Sequence, residues 1–273
     1  MKNKIILLLS VFINVNISAK TVFIFSHGLE GNRNQIKRYT MPNKLNWQIL
    51  GNNNISFDFG DVDSDGKFNE NNANLAQDKD VETLDNIYKE CLKDEAVNKI
   101  VLVGVSRGAS TIINYASRHP EKLAAVVLES PFDSIEKIIE YQLNRKYVGW
   151  IPGIKHLFHK IIERKYPNYD KNGIRPIDIV KSLPKNLPIL FVHSKKDRLI
   201  PIKSSIRLYK QLKSTGHNNV YLLKLNDGEH ASYQWGTDAN NYQTVVHAFY
   251  KKHDIEHIEE LAQLGERLLE ASK

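Results

Sequence analysis

The apolar run Lys99-Ile-Val-Leu-Val103 leads straight into Gly104-Val-Ser-Arg-Gly108, and Ala109-Ser-Thr-Ile-Ile-Asn-Tyr-Ala116 follows without a break. A strand, a five-residue turn and a helix start in immediate succession leave the chain little freedom. It must reverse from strand to helix sharply, and glycines two positions either side of the centre remove the clashes such a turn creates. The central side chain, Ser106, is pushed out of the backbone at the strand end. Ser106 is therefore the candidate nucleophile. The pentapeptide alone recurs by chance and an ordinary tight βα turn is the alternative; the strand before it and the helix after it carry the reading.

A serine hydroxyl is a poor nucleophile at neutral pH and needs a base, which in turn needs an orienting acid. Two later strand ends supply both, in the order Ser, Asp, His. The continuous apolar run Leu187-Pro-Ile-Leu-Phe-Val-His193 ends in a short polar loop that carries Asp197. Asn219-Val-Tyr-Leu-Leu-Lys-Leu225 ends in Asn-Asp-Gly-Glu-His230. Taken singly, Asp197 reads as a helix cap and His230 as a solvated loop side chain; taken with Ser106 they form the set an acyl-transfer site needs. Glu129 and Asp133 are the other acids at a strand end, whereas Asp227 and Glu229 read as shaping the His230 loop. The first strand, Thr21-Val-Phe-Ile-Phe25, runs into Ser26-His-Gly-Leu-Glu-Gly31. Such a glycine-rich loop can aim backbone N–H groups at a developing oxyanion. The donors expected are the N–H groups of Leu29 and Arg107, with His27 stabilising the loop rather than reacting.

On these residues, His27-Gly28, the turn around Ser106, Asp197 and His230, the chain resembles the α/β-hydrolases over about residues 21–250. Leu128-Glu-Ser-Pro-Phe132 and Pro188-Ile-Leu-Phe-Val-His193 are similar to the branch that holds esterases, monoglyceride lipases and acyl-peptidases. The resemblance implies a parallel sheet wound on both faces by helices, with the site at the strand C-terminal ends. It also implies a serine hydrolase that forms an acyl enzyme and needs no metal or organic cofactor. The chain's own pattern agrees. Strand-like runs at 21–26, 55–59, 99–105, 124–129, 188–193 and 219–225 alternate with helical stretches at 81–93, 109–117, 204–213 and 242–251. The first two strands of the full fold are missing from this pattern, so a minimal, doubly wound, mostly parallel sheet of about six strands is expected, with a helical cap inserted.

The cap is residues 133–185, too long for a structureless connection. Ser134 to Tyr147 and Ile154 to Tyr166 read as helices, separated by Trp150-Ile-Pro-Gly153. Tyr147, Trp150, Phe158 and Tyr166 are the aromatic candidates for an acyl pocket, against the alternative that they only pack the cap. Residues 253–273 repeat Ile255, Ile258, Leu261, Leu264 and Leu268 at helical spacing, an amphipathic tail expected to dock on the body of residues 20–252. Asp61-Val-Asp-Ser-Asp-Gly66 matches the first half of a calcium loop, but the second half fails: position 8 is Phe68, and position 12 is Asn72 where a bidentate Glu is needed. A solvated acidic turn is the favoured reading, and no metal is expected.

Hydrophobic content of 41 % and charged content of 25 % are those of a soluble globular chain. The net charge of +7 is not organised into a basic cluster interleaved with aromatics, so nucleic acid is not an expected partner. Weak contact with an anionic membrane surface is compatible with that charge. Met1-Lys-Asn-Lys4, the apolar Ile5 to Val15 and a small residue at Ala19 read as a signal peptide over residues 1–19, which places the enzyme in the periplasm or outside the cell. Cys91 is the only cysteine, so no intrachain disulfide forms. The expected function is cleavage of a carboxylic ester on a small or lipid-like acyl substrate. A peptidase or acyltransferase would use the same residues, and a binding protein on a hydrolase scaffold is the alternative from another class.

Overall fold

The computed structural model describes residues 19–40 and 47–273. The expected signal peptide therefore lies outside the described residues, apart from Ala19. Six strands are described: β1 (Lys20–Ser26), β2 (Asn54–Ser56), β3 (Val97–Val105), β4 (Leu123–Glu129), β5 (Ile189–Ser194) and β6 (Val220–Leu225). They form one sheet in the order β2-β1-β3-β4-β5-β6, every pair parallel. The helices between them are α1 (Lys37–Thr40), α2 (Asp78–Leu92), α3 (Arg107–Ala116), α4 (Ile135–Arg145), α5 (Ile154–Lys165), α6 (Pro176–Ile179), α7 (Lys203–Ser214), α8 (Ala239–Lys252) and α9 (Glu259–Ala271).

The strands alternate between two cores because successive side chains point to opposite faces of a sheet. Ile24, Ile100, Leu102, Val126, Leu128, Ile189 and Phe191 belong to one core, with Val81, Leu84, Ile112, Leu208 and Leu212 from α2, α3 and α7. Phe25, Val101, Val103, Val127, Leu190 and Val192 belong to the other, with Tyr242, Val245, Val246 and Phe249 from α8. Burial on both faces is why these strands read as continuous apolar runs. Cys91 is a free thiol packed against the first core, and burial raises its pKa.

The tail docks. α9 lies against α8 so closely that a Cβ on Gly265 would sit 2.0 Å from the Thr244 carbonyl oxygen. Ser272 O also accepts from Leu222 N on the edge strand β6 at 2.7 Å, so the tail satisfies part of the open sheet edge. Strand order reverses at β1, whose neighbours β2 and β3 lead away on either side. Ligands in open parallel sheets collect at such a switch point, beyond the carboxyl ends of the strands. The β1 and β3 loops that meet there hold Gly28 and Ser106.

Candidate active site

Ser106 occupies the turn between β3 and α3 at φ +56° and ψ −117°, a backbone state that costs a non-glycine residue about 1–3 kcal/mol. Its neighbours show why the turn needs glycines. A Cβ on Gly104 would lie 2.7 Å from the Gly108 carbonyl carbon, and one on Gly108 would lie 2.1 Å from Ser26 O on β1. The helix can start this close to the sheet only because both side chains are absent. A Cβ on Gly28 would lie 3.5 Å from Ser106 Cβ, so the β1 loop faces the serine.

Among the described residues, neither Leu29 N–H nor Arg107 N–H has a protein acceptor, and Arg107 N–H opens α3 with its positive dipole end. Both N–H groups are thus unspent within the described protein. The Gly28 N–H is spent on Gln35 Oε1 at 2.9 Å, which fixes the loop. His27 lies beneath it: Nδ1–H donates to Gly28 O at 2.8 Å, and Nε2 accepts from Phe59 N at 3.3 Å. Burial, then the Arg107 charge, lowers its pKa to about 4, so it stays neutral and structural.

Asp197 follows β5 and His230 follows β6, and Asp197 Oδ2 accepts from His230 Nδ1 at 2.7 Å. Asp197 Oδ1 accepts from the N–H groups of Leu199 and Ile200, each at 2.9 Å. A further donor, Tyr233 O–H, reaches Oδ2 at 2.8 Å. Burial pushes this carboxyl up, but the His230 bond, the facing histidines and the Ile200 N–H outweigh it and hold it below the usual carboxylate range. A carboxylate held ionised on Nδ1 leaves the other His230 nitrogen, Nε2, as the acceptor. Among the described residues no hydrogen bond joins Ser106 Oγ to His230; such contacts tighten on substrate binding. Leu199 borders both the cavity at Ser106 and the depression that holds His230.

That cavity, about 200 Å³, is walled by Leu29, Leu75, Phe132, Ile139, Ile162 and Ile200, among other apolar side chains, with Ser106 and Arg107 at its base. Tyr166 lines it as well. The other cap aromatics do not. Tyr147 is 87 % and Trp150 80 % exposed, because the turn between α4 and α5 carries them outward, and Phe158 lies half-buried outside the wall. Aliphatic residues of α4 and α5 take the place expected for aromatic ones.

The expected solvated acidic turn holds for Asp63 and Asp65, which are exposed, but not for Asp61, which is buried. Its carboxylate binds the buried Arg107 guanidinium through both oxygens, and Arg107 also stacks 4.3 Å above Phe59. Asp61 is 1 % exposed, so the first position of the calcium-like loop faces inward. No cluster of three or more potential metal ligands occurs among the described residues. Glu129, the alternative acid, ends β4 beneath the turn, where its carbonyl accepts from Ser106 N at 2.8 Å. Its carboxyl is buried and receives Tyr39 O–H at 3.1 Å and Tyr242 O–H at 2.9 Å. Burial raises its pKa to about 7 against the opposing effect of these bonds. Asp133, the other alternative, is held by Arg207 and by Ser204 O–H at 3.0 Å.

The parallel sheet, the strained serine turn and the capped cavity define an α/β-hydrolase-type serine hydrolase. Residues 60–254 match the prolyl oligopeptidase family, and the chain belongs to it. It is 29 % identical to the uncharacterised protein YqkD of Bacillus subtilis over 150 residues, 54 % of this chain and 46 % of that one. The match thus spans less than half of that relative's length. Among solved structures it is similar to the Pyrococcus furiosus esterase Pf2001, with a TM-score of 0.63 at 20 % identity, covering 87 % of this chain and 83 % of that one. It is also similar to the Pyrococcus horikoshii acylaminoacyl peptidase, with a TM-score of 0.60 at 14 % identity over 89 % of this chain and 38 % of that one.

Proposed function

We propose that the chain is an exported carboxylic-ester hydrolase in which Ser106, His230 and Asp197 act as a triad. The observation that carries the reading is the apolar cavity opening on Ser106 at its strained turn. An acyl chain fits such a wall, whereas the charged termini of a peptide find no partner on it: the one charged side chain at its base, Arg107, is already paired with Asp61. Ser106 Oγ attacks the ester carbonyl as its proton passes to His230 Nε2. Asp197 holds the Nδ1 tautomer and stabilises the imidazolium. The N–H groups of Leu29 and Arg107 take the oxyanion, and His230 hands the proton to the leaving alcohol. Water then releases the acid by the same route.

The peptidase reading draws support from the family and from the acylaminoacyl peptidase likeness. Fluorophosphonate labelling with mass spectrometry, followed by p-nitrophenyl esters set against aminoacyl amides, separates the two. An adduct on Ser106 that disappears in His230→Ala, with ester turnover exceeding amide turnover, is expected. Faster amide cleavage would replace the ester reading, and no adduct on folded protein would end the enzyme reading at this serine. Export rests on the basic, apolar and small-residue order of residues 1–19. Intact Met1 on protein recovered from cells would overturn it.

A further inference from the structure

The cap carries apolar side chains that no described residue covers. Beside Tyr147 and Trp150, Leu157 is 52 % and Ile161 48 % exposed, one turn apart on α5. No residue of α5 is buried. Isolated exposed apolar side chains are ordinary, but these four large ones within residues 147–161 of one segment have the composition of a contact surface. Trp150 is also prepared to leave water: its indole N–H already donates to Tyr147 O at 2.9 Å. Tyr147 holds φ +57° at an exposed turn position where glycine would serve without strain.

The same segment concentrates positive charge. Residues 145–165 contain Arg145, Lys146, Lys155, Lys160, Arg164 and Lys165 against the single acid Glu163, a formal +5 in a chain whose total is +7. Lys146, Lys160 and Arg164 are exposed and have no acidic partner among the described residues. Exposed rings and aliphatic side chains framed by cations are the pattern of a segment lying in the headgroup region of an anionic bilayer.

We propose that this face of the cap, from Tyr147 to Arg164, docks the enzyme on an anionic lipid surface. Charge complementarity selects the occupant, and the apolar side chains choose lipid over a soluble polyanion, which would pair the cations and leave Trp150 and Leu157 in water. The inner sides of α4 and α5 wall the Ser106 cavity, so the docking face is the reverse of the wall that meets the substrate. Delivery of a lipid-dissolved ester to Ser106 rests on the function proposed above; the docking itself does not.

Flotation of the full-length chain with vesicles tests it, using phosphatidylcholine alone and phosphatidylcholine mixed with phosphatidylglycerol. Residues 1–18 are then common to every sample. Each neutralised cation near such a surface lowers partitioning about fivefold, so Lys146→Gln, Lys160→Gln and Arg164→Gln together lower it about a hundredfold. Trp150→Ala with Leu157→Ala lowers it further, while turnover of a water-soluble short ester stays unchanged in both sets. Equal association of the wild type and the triple variant with anionic vesicles would overturn the proposal. So would association that ignores Trp150 and Leu157, which would mark a polyanion surface. Flotation is read without hydrolysis, so its failure and the failure of the ester reading are separate results.

Discussion

Asp197 carries more hydrogen bonds than the acid role proposed for it requires, and the added one has a measurable consequence. Four donors converge on its two oxygens, and Tyr233 O–H shares Oδ2 with His230 Nδ1. Removing that hydroxyl leaves the carboxylate ionised and the imidazole bonded, but frees the carboxyl to turn. A hydrogen bond to a charged group is worth about 1.5–3 kcal/mol, so Tyr233→Phe lowers kcat roughly 10- to 100-fold with KM little changed. Asp197→Asn, which upsets the tautomer, costs about 10⁴-fold in kcat. Equal losses in the two variants would show that Tyr233 does more than position. Asp61 supports a second residue-scale prediction. Because Arg107 engages both of its oxygens and Asp63 Oδ1 accepts from Asp65 N and Lys67 N, calcium finds no ready set of ligands. Millimolar calcium or excess chelator leaves Tm unchanged, whereas Asp61→Ala removes the bidentate partner of a buried guanidinium, leaves it only Asp80 at 3.9 Å, and lowers stability by about 3 kcal/mol. A calcium-dependent rise in Tm would restore the metal reading of the loop.

At the scale of elements, the proposed ester cleavage makes the cap the part of the fold that selects the acyl group. Ile139 is 5 % exposed on α4 and forms part of the cavity wall. Ile139→Trp thickens the wall and shortens the cavity of roughly 200 Å³. Long-chain p-nitrophenyl esters then lose at least about tenfold in kcat/KM, since each excluded methylene forfeits about 0.8 kcal/mol, while acetate esters keep their rate. An unchanged chain-length profile would place the acyl group elsewhere. The cap also marks where the sequence stops being legible. Strands buried on both faces announce themselves as local apolar runs, and the serine turn announces itself through glycines whose absent side chains the Ser26 and Gly108 backbones require. Cavity walls have no such local mark. Leu29, Leu75, Ile139, Ile162 and Ile200 meet only after the cap folds back over the sheet, and aromatic character said nothing about which way the turn after α4 would point Tyr147 and Trp150. Tyr233 is a different case. It lies three residues beyond His230, close enough to be read as its companion, but its bond to Asp197 depends on the short helical turn Tyr233–Trp235 that swings it under the acid.

Across the whole molecule, stability against pH reflects opposed buried groups. His27 and His193 are each lowered by burial from 6.5 to about 4. A neutral histidine that resists protonation when folded contributes stability above the unfolded pKa, and that contribution is lost as pH falls from 6.5 towards 4. Glu129 works in the other direction. Its folded pKa is raised from 4.5 to about 7, so between those values the unfolded chain has released a proton that the folded chain keeps. Its effect is therefore a loss of stability as pH rises from 4.5 through 7, reaching about 3 kcal/mol by pH 8. Glu129→Gln keeps one oxygen to accept from one tyrosine hydroxyl, turns an N–H donor to the other, as the protonated carboxyl does, and removes the titration. The histidines are common to both proteins, so the comparison isolates the carboxyl: denaturant unfolding at pH 5 and pH 8 gives the variant roughly 2–3 kcal/mol more at pH 8, relative to pH 5, than the wild type gains over the same interval. Parallel pH profiles for the two would mean that Glu129 is ionised throughout. The buried carboxyl under the serine turn would then be a permanent negative charge facing His230, and the two tyrosines its compensation.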